Sequence, residues 1–209
     1  MYQPEPFAES DLSKLHGLIR AHPLATLVTL NEGGLQASHV PMVLAAEEGP
    51  AGTLRGHLAR PNPQWRSPAS ELEALCIFSG PDAYISPSWY ETKKETAKVV
   101  PTWNYVTVHA YGPLTVTQDR DWLLQNVSEL TDQQERDRPE RWQVSDAPER
   151  FTETMLRGIV GIEIPITRIE GKWKASQNRP EADRDGVVRG LNAGTPAEAA
   201  MAELVRERS

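Results

Sequence analysis

The stretch from Trp103 to Thr117 constrains the fold of this chain most. Along it Val106, Val108, Ala110, Leu114 and Val116 share one face of an extended backbone, while Trp103, Tyr105, Thr107, His109 and Tyr111 share the other. A long strand with two buried or half-buried faces is implied. Shorter strand signals surround it. Leu24 to Leu30, Leu35 to Leu44 and Thr53 to Leu58 are separated by turn residues at Asn31-Glu32-Gly33-Gly34 and from Glu47 to Gly52, which is the pattern of a meander. Ala74 to Ser79 and Ala83 to Ser86 read as two further strands. Val160, Ile162, Ile164 and Ile166 alternate as another. Pro165 has no N–H, and the apolar phase slips to Ile169, so an edge or a bulge is expected there.

Helical signals lie between and after the strands. Ser10 or Asp11 can cap a helix carrying Leu12, Leu15, Leu18 and Ile19, which stops at His22-Pro23. Asp119 to Leu130 reads as a helix with Leu123, Val127 and Leu130 inward, followed by a charged connection from Asp132 to Arg141. Pro148 to Gly158 reads as a short helix capped near Asp146, and Pro180 to Ser209 as a helical, more exposed tail. Glu91 to Lys98 has three lysines and no apolar period, so a mobile or partner-ordered loop is expected. The sum is a mainly β chain with helical additions, expected to form a closed or nearly closed antiparallel barrel, an arrangement that removes exposed strand edges. One domain over residues 1–191 with a helical tail over 192–209 is the expected organisation.

Composition then excludes several classes. With 22 Lys+Arg against 29 Asp+Glu, the 209-residue chain carries a formal charge of −7, which opposes direct binding to a phosphate backbone. Its 17 prolines and 14 glycines fall short of a disordered composition. The start has no basic region followed by an apolar one, and no apolar run is long enough for a membrane helix, so a cytosolic protein without membrane contact is expected. The single cysteine, Cys76, lies in the apolar run Ala74-Leu75-Cys76-Ile77-Phe78 and reads as a buried reduced thiol.

No G-x-G-x-x-G, P-loop, G-x-S-x-G, H-E-x-x-H or zinc-type Cys/His spacing is present, and no metal site is expected. Four clusters remain. Tyr84, Trp89, Tyr90, Trp103, Tyr105 and Tyr111 crowd into 28 positions, and such flat side chains suit an isoalloxazine or haem ring, a subunit interface or plain core packing. Gly56 to Trp65 runs from a strand into a turn. There Arg60 and free backbone N–H groups can meet a terminal phosphate, or Arg60 can simply sit in water. Lys172-Trp173-Lys174-Ala175-Ser176-Gln177-Asn178-Arg179 is the densest run of cations and neutral donors, suited to an anionic ligand or to a solvated basic face. His39, His57 and His109 on strands can polarise a ligand, ligate iron or serve structure.

Several segments together resemble the PaiB-type negative transcriptional regulators, a family grouped with FMN-binding split barrels such as pyridoxamine phosphate oxidase. They are Met1-Tyr2 with Phe7, Ala37-Ser38-His39-Val40-Pro41, Gly52 to Arg60 with Asn62-Pro63-Gln64-Trp65, Tyr84 to Tyr90, Val100 to Tyr105, and Lys172 to Arg179. They run in order to about Leu191; after Trp89-Tyr90 this chain has Glu91-Thr92 where the family tends to have Pro-Ser. The resemblance implies an antiparallel FMN-binding split barrel that dimerises, with flavin sites at the subunit boundary built from both chains. It places Arg60 at the FMN phosphate, His57 and Leu58 along the ribityl chain or ring, and Ser38 and His39 on the neighbouring strand. Trp103, Asn104, Tyr105, Ser176, Gln177, Asn178 and Arg179 would complete the pocket.

A flavin-linked regulator or flavin redox protein is the leading expectation. No proton donor stands out as catalytic, and Lys172, Lys174 or Arg179 would place positive charge near a reduced ring. A haem-binding or haem-degrading split barrel, with His39, His57 or His109 as axial ligand, is the alternative cofactor reading. A directly DNA-binding repressor is the other alternative. It sits poorly with an acidic chain whose clearest helix, Asp11 to Ala21, carries only Lys14 and Arg20 as cations.

Overall fold

The structure, a computed structural model, describes residues 1–31, 33–66 and 72–208. Along the chain come β1 (Ala8–Glu9), α1 (Leu12–Ala21), β2 (Leu24–Asn31), β3 (Gly34–Pro41), β4 (Val43–Ala45) and β5 (Thr53–Ala59). After these lie β6 (Ala74–Ile85), α2 (Thr92–Thr96), β7 (Thr102–Gly112), β8 (Thr115–Thr117), α3 (Arg120–Glu135) and α4 (Glu149–Arg157). The chain ends with β9 (Ile159–Pro165), β10 (Arg168–Lys174), α5 (Glu181–Asn192) and α6 (Pro196–Glu207). It divides into two units, the first made of Met1–Leu18, Ser79–Val108 and Glu170–Ser209, the second of Ile19–Phe78 and His109–Ile169.

In the second unit β2 and β3 form a hairpin paired along its whole length, from Leu24 opposite Pro41 to Asn31 opposite Gly34. On its other edge β2 takes the start of β6, Thr26 opposite Ile77. A separate sheet has the antiparallel order β4-β5-β9-β8. Leu54, Leu58, Val160, Ile162 and Ile164 alternate along its two central strands and are buried, the period-2 pattern of a sheet with one face in a core. Helix α3 packs against β5 and β9, and α4 against β9. Asp119 caps α3 by accepting from the Trp122 N–H at 2.8 Å.

In the first unit the strand order is β1-β10-β7 followed by the end of β6, with Ala8 opposite Lys172. Helices α5 and α6 pack on each other. Thr195 and Glu198 form a reciprocal capping box that starts α6.

Most expected strands and helices are present, and the differences have local causes. The strands make two separate sheets instead of closing into one barrel. Leu35 to Leu44 is broken at Met42, whose N–H turns to the Pro23 carbonyl at 2.9 Å. Ala74 to Ile85 is one strand where two were expected; Gly80-Pro81 is a turn signal in sequence but stays extended here. The long alternating strand ends at Gly112 and resumes at Thr115, because Pro113 cannot donate to a ladder. The expected loop Glu91 to Lys98 contains α2, closed by Ala97 in the left-handed conformation at φ 54°. Helix α3 extends to Glu135 into the expected charged connection. Beyond Pro165 the strand ends and β10 begins at Arg168, so the phase slip marks two strands and no bulge. The tail is less exposed than expected, since Val187, Leu191, Met201, Ala202 and Val205 are wholly buried. No described helix is long and apolar enough to cross a membrane.

Cys76 is fully buried and unpaired. Burial pushes its thiol up to about 12, so at pH 8 the native protein should resist a thiol reagent that reacts fully once denaturant is added. Stoichiometric labelling of the native protein within minutes would contradict this.

Candidate functional site

The twelve sequence-derived candidates fall into two groups, one in each unit. In the second unit β5 carries His57, Leu58 and, just beyond its end, Arg60. Each nitrogen of the Arg60 guanidinium donates once to protein: to the Arg157 carbonyl at 2.6 Å, the Gln118 side-chain oxygen at 2.6 Å and the Ile159 carbonyl at 3.0 Å. Its backbone N–H also donates, to the Gly158 carbonyl at 2.8 Å. Arg60 therefore staples the turn after β5 to the start of β9. Leu58 points into the core at 4% exposure, so only its backbone can meet a ligand. His57 lies on the opposite face, with Nδ1 3.1 Å from Asn126 Oδ1 on α3.

The turn after Arg60 is knitted by side chains. Asn62 Nδ2 donates to Ser38 Oγ at 3.0 Å, and Asn62 Oδ1 accepts from the Gln64 N–H at 2.9 Å. Buried Gln64 donates to the Leu27 carbonyl and to Thr29 Oγ1, and Trp65 Nε1 donates to the Arg60 carbonyl. Ser38 is thus brought to the turn, while His39 is exposed beside Thr26 with Nδ1 3.2 Å from its hydroxyl. His109, the third histidine considered for iron, has Nδ1 3.5 Å from Tyr111 Oη. No group of three or more His, Cys, Asp or Glu able to hold a metal ion occurs among the described residues.

In the first unit, β10 and the turn after it face the start of β7. Lys172 and Lys174 share a face of β10 by strand alternation. Lys174 Nζ donates to Thr102 Oγ1 at 2.5 Å and to the Trp103 carbonyl at 2.7 Å. Burial and, next, the charges of Lys172 and Arg179 hold its ammonium below the ordinary lysine range. Three cations gathered this closely repel one another, and an anion is what relieves that repulsion. Asn104, 1% exposed, donates through Nδ2 to Ser176 Oγ at 2.9 Å, and its Oδ1 is buried without a partner. Ser176 holds φ 61°, a strained value for a residue with a side chain and one that clusters at functional sites.

Gln177 braces the turn, accepting from the Ala175 N–H at 2.7 Å and donating to the Trp173 carbonyl at 2.5 Å. Asn178 is exposed, and the Arg179 guanidinium stacks 4.6 Å from the Tyr90 ring centre. Trp103 is half exposed, bonded through Nε1 to Asp82 at 2.7 Å and set edge-on to exposed Tyr84 at 5.9 Å. Tyr105 lies beneath Lys172 Nζ, 5.3 Å from its ring centre.

Comparison with known proteins decides the family. Residues 1–168 match the family model described as "Putative FMN-binding domain". The chain belongs to this FMN-binding family. It is 33% identical over 211 residues to the protein named Protease synthase and sporulation protein PAI 2 of Bacillus subtilis, covering 100% of this chain and 98% of that one. Two solved structures share the fold. The flavocytochrome Anf3 of Azotobacter vinelandii has a TM-score of 0.58 at 12% identity, covering 80% of this chain and 69% of that one. The FAD and haem binding protein of Mycobacterium smegmatis has a TM-score of 0.57 at 17% identity, covering 80% and 73%. The fold is the split barrel of flavin proteins, and the family's cofactor is FMN.

The residues of the first unit fit that cofactor. FMN carries a phosphate, which suits Lys172, Lys174 and Arg179, and hydroxyl and ring N–H donors, which suit the unpartnered Asn104 Oδ1. Its flat ring suits the exposed Trp103 and Tyr84 pair. Sequence reading missed Asn126. It stands on the apolar stripe of α3 between Leu123 and Val127, and a polar residue in such a stripe is the signal that marks it. It also missed the acceptors that occupy Arg60, two of which are backbone carbonyls and leave no trace in sequence.

Proposed function

We propose that the protein is an FMN-holding homodimer, with flavin sites at the subunit boundary, that serves as a flavin-linked regulator or a flavin redox protein. The observation that carries this reading is the cation cluster of Lys172, Lys174 and Arg179 beside an unpartnered buried acceptor on Asn104. In a chain of formal charge −7, a partly buried group of like charges costs stability unless it meets an anion. Because Arg60 is held by three protein acceptors, the phosphate is assigned to Lys174 and its neighbours.

Bound FMN supplies electron transfer, while the chain supplies binding, orientation and charge. Asn104 Oδ1 accepts a ligand hydrogen bond, and Arg179, stacked on Tyr90, keeps its guanidinium at the turn. The name of the Bacillus relative, a sporulation protein, supports regulation as the biological use. The acidic charge favours a route through the flavin or a protein partner over a direct grip on DNA.

Titration with FMN and with riboflavin, followed by flavin absorbance, tests this. Wild type should take up FMN, and Lys174→Gln should weaken FMN about tenfold or more while changing riboflavin less than about twofold, since a charge-assisted contact to phosphate is lost only for FMN. Absence of uptake by wild type removes the reading. Equal weakening for both ligands moves the cluster from the phosphate to the ring.

A further inference from the structure

In the second unit, between α3, α4 and the start of β9, lies a cavity of about 280 Å³ with His57 in its wall. Ile159 and other aliphatic side chains form the inner walls. Its rim carries Trp142, Phe151 and Met155, which are 48%, 56% and 50% exposed. Large apolar side chains left in water around a concavity mark a binding place more often than an accident of packing. The volume sits just under the ~300–1,000 Å³ of sites for drug-sized ligands, so the occupant is small, one or two rings and not an entire FMN.

The polar lining is His57 with the hydroxyls of Thr131 and Thr152, whose protons go to the Val127 and Pro148 carbonyls. His57 Nδ1 lies 3.1 Å from Asn126 Oδ1, and the tautomer that donates to this oxygen leaves Nε2 without a proton. Asn126 itself lies outside the cavity lining. His57 is in the cavity lining, so Nε2 is the acceptor it offers a ligand in that tautomer.

We propose that this cavity is a binding site for a small aromatic molecule with one N–H or O–H donor, held by its ring between Trp142, Phe151 and Met155 and by its donor on His57 Nε2. This ligand would act as an effector or substrate distinct from FMN. A donor matched to this acceptor discriminates between ligands, because one that lacks it leaves Nε2 unpaired.

Indole and benzofuran are suitable probes, since they share a two-ring shape and differ in an N–H donor. Binding to the full-length protein is followed by ligand-observed NMR and calorimetry. Indole should bind at least about tenfold tighter than benzofuran, and His57→Phe should erase that difference. Met155→Trp, which fills the mouth from a half-exposed helix position, and Ala147→Phe, which fills it from the wall, should each abolish binding of both probes while leaving FMN uptake intact. Failure of wild type to bind either probe at millimolar concentration overturns the proposal, as does undiminished binding in both filled variants. Equal affinity for the two probes overturns the role of His57. Displacement of indole by FMN shows the cavity to be the flavin's own and overturns the claim of a separate site. A protein that takes up no FMN yet binds indole as described defeats the flavin reading and leaves this one standing.

Discussion

Replacing Gly186 with alanine should lower the stability of the first unit by about 2–3 kcal/mol, although the same change usually strengthens a helix. Gly186 and Gly190 lie one turn apart on α5 and face Trp89. A Cβ on Gly186 would come within 1.9 Å of the Trp89 carbonyl oxygen, and one on Gly190 within 2.3 Å of its indole ring. Alanine relieves a helix of about 1 kcal/mol relative to glycine. A contact of 1.9 Å with backbone cannot be relieved by turning a side chain, so α5 or the segment carrying Trp89 must shift, and the clash outweighs the propensity gain. Gly17 on α1 is the internal control: it is exposed, and nothing lies within 4 Å of its virtual Cβ. Gly17→Ala should therefore stabilise by about 0.5–1 kcal/mol. By calorimetry the first change should lower Tm by roughly 5–10 °C and the second raise it by roughly 1–4 °C. A Gly186→Ala protein that melts at or above the wild-type temperature would refute the packing of Trp89 on α5.

That packing illustrates what could and could not be read from residues alone. Strands β2, β3 and β5 were legible because the turns between them are written in glycine, asparagine and glutamate, but the expected meander is not formed, since the break at Met42 sends β3 and β5 into different sheets. The unbroken course of β6 through Gly80-Pro81 was not, because whether such a pair turns or stays extended is decided by neighbouring strands. The burial of Met201 and Val205 was equally hidden, since a helix near a chain end shows its apolar stripe without showing what covers it. At the site, Lys172 and Lys174 were legible as members of the densest run of cations and neutral donors, not as a same-face pair on a strand. Their closeness to Arg179 depends on the left-handed turn at Ser176, and a serine does not announce that conformation. Arg60 was singled out as a candidate phosphate contact, and two of its three partners here are backbone carbonyls at Arg157 and Ile159. Any residue presents a carbonyl, so no pattern of side chains foretells that use.

The affinity for FMN should fall with rising pH before ordinary lysines titrate, and the fall should belong to Lys174. In the ligand-free protein burial, Lys172 and Arg179 all disfavour its charged form, so it releases its proton below the ordinary lysine value of 10.5. A phosphate dianion beside it favours the charged form and returns the proton affinity toward normal. Below the lowered value Lys174 is charged in both free and bound protein, and affinity is at its full level. Above it the bound state must take up a proton that the free state has lost, and affinity declines by up to about tenfold per pH unit until the bound group also titrates. The stability of the ligand-free chain moves the other way, because its unfolded form keeps the proton longer and the repulsion among the cations is relieved as pH rises through the same window. Lys174→Arg should keep FMN affinity level across this window, since a guanidinium stays charged there. Riboflavin, having no phosphate, should show no such decline with the wild-type protein. If FMN affinity of the wild type stays level up to pH 10.5, or if riboflavin declines alongside FMN, Lys174 does not hold the phosphate. A decline that persists unchanged in Lys174→Arg would assign the titration to another group.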